Sequence, residues 1–524
     1  MRFFNTTGPV RGDIHYCLPP LRRWDLAAIL SLIHQQKYFV LHAPRQTGKT
    51  TCLLALMKAL NEDGQYRALY ANVETGQSAR EDVARAMRTI LADIGERARD
   101  YLGDPFVLEA MGAALQDSGG DGALRSVLTG WAAASPKPLM LMLDEVDSLV
   151  GDTLISLLRQ LRGGYDKRPL KFPQTVLLCG VRDVRDYRIH SSEEKSVITG
   201  GSASNIKAES LRLVDFSPQD IVALYSQHTE ETGQRFDPEA LSAVWDLSEG
   251  QPWLVNALAY EACFRMKENH DRSRTITAAV IEASSENLIL RRETHLDQLT
   301  DKLKELRVKR ILEPLIAGES LGENVSEDDL QYTVDLGLVR RDSSGIRVAN
   351  GIYREVIPRQ LTEVTQVALE SEIPSGTYIR ADGQLDMDRL LHGFQQFFRE
   401  NSEHWSRRFD YQEAWPQLLL QAYLQRVVNG GGQVHREYGL GSGRTDLLIA
   451  WRTQKIVLEL KILRSNPEKV IQQGLEQTST YMDRCGSAEG HLILFDRRPA
   501  ASWEEKIWRR EIHHRSRRIV VWGM

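Results

Sequence analysis

The loop at residues 43–51, A-P-R-Q-T-G-K-T-T, has the residue types that bind phosphate. It follows an apolar run at residues 38–42, which predicts a buried strand, and it precedes a run that predicts a helix. In the P-loop pattern, backbone N–H groups and the helix N-terminus bind phosphate oxygens. Ala43 replaces the first glycine of that pattern, which affects the turn more than the phosphate contacts. The predicted nucleotide-binding residues are Ala43, Pro44, Arg45, Gln46, Thr47, Gly48, Lys49, Thr50 and Thr51.

Two acids complete this pattern about ninety residues further along the chain. Asp144 and Glu145 follow the apolar run at residues 138–143, which predicts a second buried strand. We expect Lys49 to reach the β- and γ-phosphates of ATP, and Thr50 and Asp144 to hold Mg²⁺. Glu145 is then expected to polarise the attacking water. The alternative is that the two acids only cap the next helix.

Three arginines are candidates for sensing or completing the nucleotide site. Arg182 follows the predicted strand at residues 175–179, where a polar sensor residue would face the γ-phosphate. Arg159 and Arg162 lie on the helix predicted after the two acids, and either is a candidate arginine finger on a neighbouring subunit of a homo-oligomer. The alternative for all three arginines is a surface salt bridge.

Two acids and a lysine near the C-terminus form the pattern D-x₁₂-E-x-K. Asp446 lies on one apolar run, and Glu459 and Lys461 lie on the next, with a polar turn at residues 452–455 between them. Two apolar runs around a short polar turn predict a β-hairpin. Three charges in strands of this kind are costly unless they have a function.

The predicted register of this hairpin pairs Trp451 with Ile456, which places Asp446 opposite Lys461. Since side chains alternate along a strand, both acids and the lysine then share one face. Two carboxylates and a backbone carbonyl, for which Leu460 is the candidate, are oxygen ligands suited to Mg²⁺. Such a metal activates water for phosphodiester hydrolysis, and the lysine positions the nucleophile or stabilises charge.

Further elements agree with a nuclease site. Glu413 precedes a predicted helix at Trp415–Val428, and Gln477 and Tyr481 are four residues apart on the helix predicted after the hairpin, hence on one face. A predicted strand follows at residues 491–495. This set resembles the PD-(D/E)XK nuclease superfamily, and Q-x-x-x-Y resembles the motif of its recombination-type members. The resemblance implies a restriction-endonuclease-like α/β domain, with Glu413 near the metal and Gln477 and Tyr481 at the catalytic site.

Two features keep alternatives open. Asp446 and Lys461 also fit a structural ion pair between neighbouring strands. The basic residues within 506–518 fit either a phosphate-binding patch or a solvated helix face.

The elements that must position these residues fall into five segments. Alternating strands and helices to residue 215, with strands predicted at residues 38–42, 67–73, 138–143 and 175–179, predict a parallel sheet covered on both faces, the core of a P-loop ATPase. Residues 216–300 are helical in period and predict a lid, with helices at Pro218–Thr232, Pro238–Ser248 and Trp253–Met266. Residues 301–362 have the helix–helix–hairpin order of a winged-helix module. A linker at 363–384 precedes the nuclease-like domain at 385–524. The predicted fold is therefore multidomain α/β.

The first 362 residues resemble bacterial AAA-like ATPases related to the STAND and archaeal-ATPase groups. The resemblance rests on the P-loop and on residues 4–10 (F-N-T-T-G-P-V), 180–187 (G-V-R-D-V-R-D-Y), 250–253 (G-Q-P-W) and 350–358 (N-G-I-Y-R-E-V-I-P). It implies an ATPase core, a helical lid and a winged helix that packs on or regulates the ATPase more often than it reads DNA.

Composition limits the class of protein. The 524 residues carry a formal charge of −5, so contact with DNA must come from local basic patches. Five scattered cysteines without a C-x-x-C pair argue against disulfides and zinc, and for a reducing cytoplasm. The sequence shows no signal peptide and no apolar run long enough for a membrane span.

Together these features predict an ATP- and Mg²⁺-dependent protein that regulates a C-terminal DNA nuclease, with defence against foreign DNA as one biological role. An alternative is a STAND-like switch that senses a ligand, oligomerises with slow ATP turnover and gates the nuclease as its effector. A third hypothesis is a degenerate nuclease fold that only grips DNA, against which the intact Asp446, Glu459 and Lys461 argue.

Overall fold

The computed structural model describes most of the chain in two units. The described residues are 1–181, 209–291, 294–316, 321, 325–343, 345–369, 378–406, 414–428, 432–440, 443–464, 466–498 and 501–524. One unit comprises Met1–Arg291 with Val334–Leu338, and the other comprises Arg292–Thr333 with Val339–Met524. Among the described helices, none combines the length and the apolar character needed to cross a bilayer.

A five-stranded parallel sheet forms the centre of the first unit. Its strands are β1 (Phe39–His42), β2 (Arg67–Asn72), β3 (Leu139–Asp144), β4 (Thr175–Gly180) and β5 (Glu209–Arg212). The order is β2-β3-β4-β1-β5, and all neighbours are parallel. The predicted parallel sheet is confirmed. Because β4 lies between β1 and β3, the phosphate loop and the two acids follow strands that are not adjacent.

Helices cover both faces of this sheet. They are α1 (Leu26–His34), α2 (Lys49–Asp63), α3 (Val83–Leu102), α4 (Phe106–Ser118), α5 (Gly120–Ala134) and α6 (Gly151–Arg162). Leu141 and Leu143 of β3 pack in one apolar cluster with residues of α3, α5 and α6. Met140 and Met142 pack in the other cluster, with residues of α1 and α2. Strand alternation therefore buries β3 on both sides.

Four more helices complete the first unit: α7 (Pro218–Thr232), α8 (Pro238–Ser248), α9 (Pro252–Tyr260) and α10 (Ala278–Leu290). The first two begin and end as predicted. Ser217 and Asp220 form a capping box at the start of α7, which satisfies the first backbone donors of the helix. The third predicted helix, residues 253–266, is instead an α-helix to Tyr260 followed by a π-helical turn at Glu261–Arg265.

The second unit begins with the predicted helix–helix–hairpin order. Its elements are α11 (Thr294–Leu303), α12 (Leu306–Ile316), α13 (Glu327–Asp335), β6 (Val339–Asp342), β7 (Gly345–Val348) and α14 (Gly351–Leu369). The two strands pair antiparallel. The long helix α14 follows, and Asn350 caps it by accepting a hydrogen bond from Tyr353 N at 2.8 Å.

A mixed six-stranded sheet forms the rest of this unit. Its strands are β8 (Gly432–Leu440), β9 (Gly443–Trp451), β10 (Gln454–Leu463), β11 (Glu489–Asp496), β12 (Trp508–His514) and β13 (Arg517–Gly523). The order is β12-β13-β11-β10-β9-β8, in which β11 is parallel to both β10 and β13. The helices are α15 (Met387–Ser406), α16 (Trp415–Val428), α17 (Pro467–Cys485) and α18 (Trp503–Lys506).

The basic residues within 506–518, here called the basic tail, do not form the solvated helix face that was one of the two interpretations of the sequence. Residues 508–523 form the antiparallel hairpin of β12 and β13, because the apolar run at residues 519–522 is buried in the sheet. Most of its arginines have acidic partners, which lowers their availability for phosphate. The pairs are Arg509 with Asp388, Arg515 with Glu476, Arg517 with Asp483 and Arg518 with Glu511.

Candidate nucleotide site and candidate carboxylate site

The phosphate loop connects β1 to α2 through a backbone that requires glycine at one point. Gly48 has φ 88°, and a Cβ there would lie 2.9 Å from a guanidinium nitrogen of Arg23. Arg23 donates hydrogen bonds to the carbonyl oxygens of Thr47 and Val214. Arg23 was not expected from the sequence, since it lies more than twenty residues before the loop. Ala43, at the first glycine position, is fully buried in the core.

Lys49 lies inside the loop. Its side chain is 5% exposed, and its ammonium donates to the carbonyl oxygens of Ala43 and Pro44, each at 3.1 Å. Thr47 Oγ1 donates to the same Pro44 oxygen at 2.8 Å. The loop's own carbonyl oxygens thus hold the lysine. A bound phosphate would compete with them for the hydrogen bonds of the Lys49 ammonium.

Asp144 is fully buried at the end of β3, and one of its oxygens accepts two side-chain hydrogen bonds. Thr50 Oγ1 donates to Asp144 Oδ2 at 2.7 Å, and the Tyr70 hydroxyl donates to the same oxygen at 3.1 Å. Burial, together with the Asp144 carboxylate, raises the pKa of Tyr70 well above its usual range. The predicted pair of Mg²⁺ ligands, Thr50 and Asp144, is therefore brought together, and their donor chemistry fits this cation.

Tyr70 is a further polar residue of the site that the sequence did not indicate. It lies on β2, inside an apolar run, and the Arg97 guanidinium of α3 lies 4.8 Å from the centre of its ring. Only the pairing of β2 with β3, in which Asn72 is level with Asp144, brings the hydroxyl to the acid. A tyrosine in an apolar strand is otherwise an ordinary core residue.

Glu145 adopts a left-handed backbone conformation, with φ 57°. This conformation is uncommon for a residue with a side chain. Its N–H donates to Asp144 Oδ1 at 3.0 Å. Burial raises the pKa of Glu145, and the nearby Lys49 opposes that effect. Glu145 lines the same cavity as the phosphate loop. This is the position expected for the residue that polarises the water attacking ATP.

The site opens into a cavity of about 450 Å³, within the range of small-molecule pockets. Beside the phosphate loop and Glu145, its walls include residues 5–10 near the N-terminus, and Phe216 and Trp253. Trp253 Nε1 donates to Thr6 O at 2.9 Å, and Val10 N donates to Thr51 Oγ1 at 3.1 Å. The N-terminal segment is thereby fixed to α9 on one side and to α2 on the other.

The structure describes two of the three candidate arginines. Arg159 and Arg162 are exposed on α6, and neither has an ion pair within the part of the chain that the structure describes. Arg182 lies outside the described residues.

In the second unit, the hairpin register differs from the predicted one by two residues. Trp451 pairs with Gln454 and Leu447 pairs with Leu458, because the turn contains two residues rather than four. Arg452, the first of them, has φ 51°. The prediction that Asp446 lies opposite Lys461 is wrong: continued by one pair, the observed register sets Asp446 opposite Glu459. A shift of two residues does not change which face a side chain occupies.

The two acids meet at the point where β9 and β10 separate. The strand pairing ends at Leu447 and Leu458, and Leu460 N donates to the Asp446 carboxylate at 2.7 Å. Glu459 is 1% exposed, and its Oε2 has no hydrogen-bond partner among the residues that the structure describes. Burial, and then the Asp446 carboxylate, raise the pKa of Glu459.

Lys461 completes the cluster. Its ammonium donates to Glu459 Oε1 at 2.7 Å. Burial acts to lower the pKa of Lys461, but Glu459 and Asp446 raise it on balance. Tyr481 of α17 is buried near Lys461 and contributes to the same shift. Gln477 is half-buried one turn earlier on the same helix.

The chemistry of this cluster fits a divalent cation. Two adjacent carboxylates, one with a buried oxygen that lacks a donor, are stabilised by a cation that replaces a proton. No group of three or more His, Cys, Asp or Glu side chains suited to a metal occurs among the described residues. A complete ligand set therefore depends on the Leu460 carbonyl and on Glu413, and Glu413 lies outside the described residues.

The strand order, the loop after β1 and the paired acids after β3 define the core of a P-loop ATPase. The family model described as an AAA domain matches residues 33–187. The chain thus carries an AAA-type P-loop ATPase domain. This match ends before the second unit begins.

Several solved structures are similar in fold. The Walker-type ATPase PABY2304 of Pyrococcus abyssi is 14% identical, with TM-score 0.46, over 68% of this chain and 99% of that one. Cdc6p from Pyrobaculum aerophilum is 15% identical, with TM-score 0.36, over 64% and 91%. The RuvB Holliday junction branch migration motor of Thermotoga maritima is 13% identical, with TM-score 0.32, over 64% and 95%. No curated protein matches the chain.

Proposed function

We propose that this AAA-type ATPase carries a metal-dependent nuclease in its second unit and acts on DNA. The observation that carries the proposal is Glu459, beside Asp446 and Lys461: a buried carboxylate with one oxygen that no described residue donates to. A carboxylate in this state is unfavourable unless a proton or a cation neutralises it. The D…E-x-K pattern on adjoining strands gives that cation a role in phosphodiester hydrolysis.

At the nucleotide site, each residue has a separate task. The phosphate loop and the N-terminus of α2 bind the phosphates of ATP, and Lys49 exchanges its two carbonyl partners for phosphate oxygens. Thr50 and Asp144 would hold Mg²⁺, which would supply positive charge for the β- and γ-phosphates. Glu145 accepts a proton from the attacking water, and burial makes it a stronger base than an exposed acid.

At the carboxylate site, Mg²⁺ supplies Lewis acidity and lowers the pKa of bound water. Asp446, Glu459 and the Leu460 carbonyl are the proposed ligands. Lys461 keeps its proton beside them and stabilises negative charge on the phosphate. Tyr481, near Lys461, and Gln477 belong to the catalytic site, as the resemblance to recombination-type nucleases implies.

The proposal is tested with the purified full chain and plasmid or linear DNA, in Mg²⁺ with and without ATP. We expect cutting that needs the metal and is lost in Lys461→Ala, while ATP hydrolysis remains. Lys49→Ala should abolish ATP turnover. Equal cutting by wild type and Lys461→Ala contradicts the site, and undiminished ATP hydrolysis in Lys49→Ala contradicts the phosphate-loop assignment.

A second candidate is a STAND-like switch in which ATP drives oligomerisation and the nuclease is the gated effector. The exposed Arg159 and Arg162 on α6 favour it, since they are available to a neighbouring subunit. Slow ATP turnover with a nucleotide-dependent increase in mass supports this candidate. Intact DNA under every nucleotide, with DNA still bound, supports a degenerate domain that only grips DNA.

A further inference from the structure

We propose that helix α14 closes the carboxylate site and must withdraw before nucleic acid reaches Asp446. This inference concerns the regulation of the proposed nuclease site and rests on that proposed function. It follows from a small cavity that lies wholly within the second unit. The cavity is lined by Asp446 and Leu460 together with residues of α14.

The size of the cavity excludes a substrate. Its volume is about 50 Å³, whereas sites for small molecules occupy roughly 300–1,000 Å³. A water occupies roughly 30 Å³ in the liquid, so the space suits a cation with one or two waters. A nucleotide with its phosphate does not fit beside Asp446 in this arrangement.

The first two turns of α14 form part of the wall of this cavity. Tyr353, Arg354, Ile357 and Pro358 line the cavity, and Tyr353 and Ile357 are buried. Gln417 and Gln421 of α16 complete the wall beside them. Glu459, next to Asp446, is almost fully buried as well. Glu459 is therefore enclosed, and the half-buried Asp446 lines a cavity too small for a duplex.

The wall of the cavity brings positive charge to the carboxylate site, as a bound cation would. Arg354 brings a guanidinium into the cavity that Asp446 lines, which supplies positive charge where a cation and a phosphate would otherwise lie. Tyr353 is held in turn by His295 of α11, whose Nε2 lies 2.6 Å from the Tyr353 hydroxyl. Helix α14 thus brings a positive charge to the cavity through Arg354 and is attached to α11 through Tyr353. An autoinhibitory contact needs both features.

The test introduces a repulsive charge at this wall in the full chain. Arg354→Glu places a carboxylate in the wall of the cavity that Asp446 lines, and we expect DNA cutting in Mg²⁺ without nucleotide to rise about tenfold or more. Amides of residues 351–369 should also exchange hydrogen faster. Arg399→Glu makes the same charge change on exposed α15 and should leave both measurements at the wild-type level.

Two further measurements keep the outcomes separate. If circular dichroism shows that Arg354→Glu does not fold, Tyr353→Phe takes its place. It removes the hydroxyl that lies against His295 and should also raise cutting, by a smaller factor. Binding of a fluorescent duplex in Ca²⁺ reports access without cleavage, and it should strengthen in Arg354→Glu despite the lost positive charge. Stronger binding and faster exchange without any cutting would support closure by α14 and contradict the nuclease. Unchanged exchange and binding, or measurable cutting at the same rate by wild type and variants, would overturn the closure.

Discussion

At the scale of single residues, Tyr70 is predicted to orient Asp144, one of the two proposed Mg²⁺ ligands. Its hydroxyl and that of Thr50 donate to the same oxygen of Asp144, which fixes the direction of the carboxylate. Tyr70→Phe removes one of these bonds and leaves the ring with Arg97. We expect the Mg²⁺ concentration for half-maximal ATP hydrolysis to rise about tenfold, since a hydrogen bond to a charged group contributes roughly 1.5–3 kcal/mol.

The readout for Tyr70 is a titration of ATP hydrolysis with Mg²⁺, beside nucleotide binding measured without metal. Binding without metal should not change. Tyr66→Phe is the control, because Tyr66 is buried just before the same strand. An equal Mg²⁺ requirement in Tyr70→Phe and wild type would show that Thr50 alone orients Asp144.

We predict that His295 makes the free energy of unfolding of the second unit fall at acid pH. Burial lowers the pKa of His295 to about 4, against 6.5 in the unfolded chain. Between these values the unfolded chain binds the proton and the folded chain does not, so stability falls as pH decreases through this window. At pH 5 the loss is about 2 kcal/mol.

Urea unfolding at pH 7 and pH 5 tests this sensitivity. His295→Gln should lose less stability than wild type between the two pH values, by about 2 kcal/mol. The exposed His392→Gln should behave as wild type does. An identical pH dependence in His295→Gln and wild type would assign the acid sensitivity to other groups.

At the scale of elements, the helices on one face of the parallel sheet depend on a close approach at Gly120. A Cβ at this position, the first residue of α5, would lie 2.6 Å from Ala84 Cα in α3. Because the obstacle is backbone, α5 must shift to accommodate a side chain. Gly120→Ala should therefore lower the unfolding free energy by about 1–3 kcal/mol.

The neighbouring helix provides the matched control for Gly120. A Cβ at Gly112 of α4 meets nothing within 4 Å. Gly112→Ala should raise the unfolding free energy by about 0.5–1 kcal/mol through helix propensity. Thermal and urea unfolding of both variants measure the difference, and equal effects at the two positions would contradict the close packing of α5 on α3.

At the scale of the whole molecule, ATP turnover is predicted to depend on assembly. Arg159 and Arg162 lie on the exposed side of α6, so they can act only on a neighbouring subunit's nucleotide if they act as fingers. Arg159→Ala or Arg162→Ala should then lower ATP hydrolysis about a hundredfold or more and leave nucleotide binding intact. Light scattering with and without ATP measures the accompanying mass, and full activity in a monomer of either variant would exclude the role.

Local patterns in the sequence were sufficient for much of the ATPase core. Short-range propensity and alternation predicted strands β1 to β4, helices α7 and α8, and the meeting of Thr50 with Asp144, because a P-loop and its acids follow strands of one parallel sheet. The same patterns placed Asp446, Glu459 and Lys461 on one face. That result survived a two-residue error in register, since strand faces repeat every two residues.

Tertiary structure alone decided the features that join distant parts of the chain. Tyr70 reaches Asp144 only through the pairing of β2 with β3, and Arg23 reaches the loop only through packing. The basic tail became a hairpin because burial in the sheet overrode its helical appearance. Helix α14 contacts the carboxylate cavity across more than eighty residues of chain. Such contacts depend on which surfaces are buried together, and local sequence does not encode that choice.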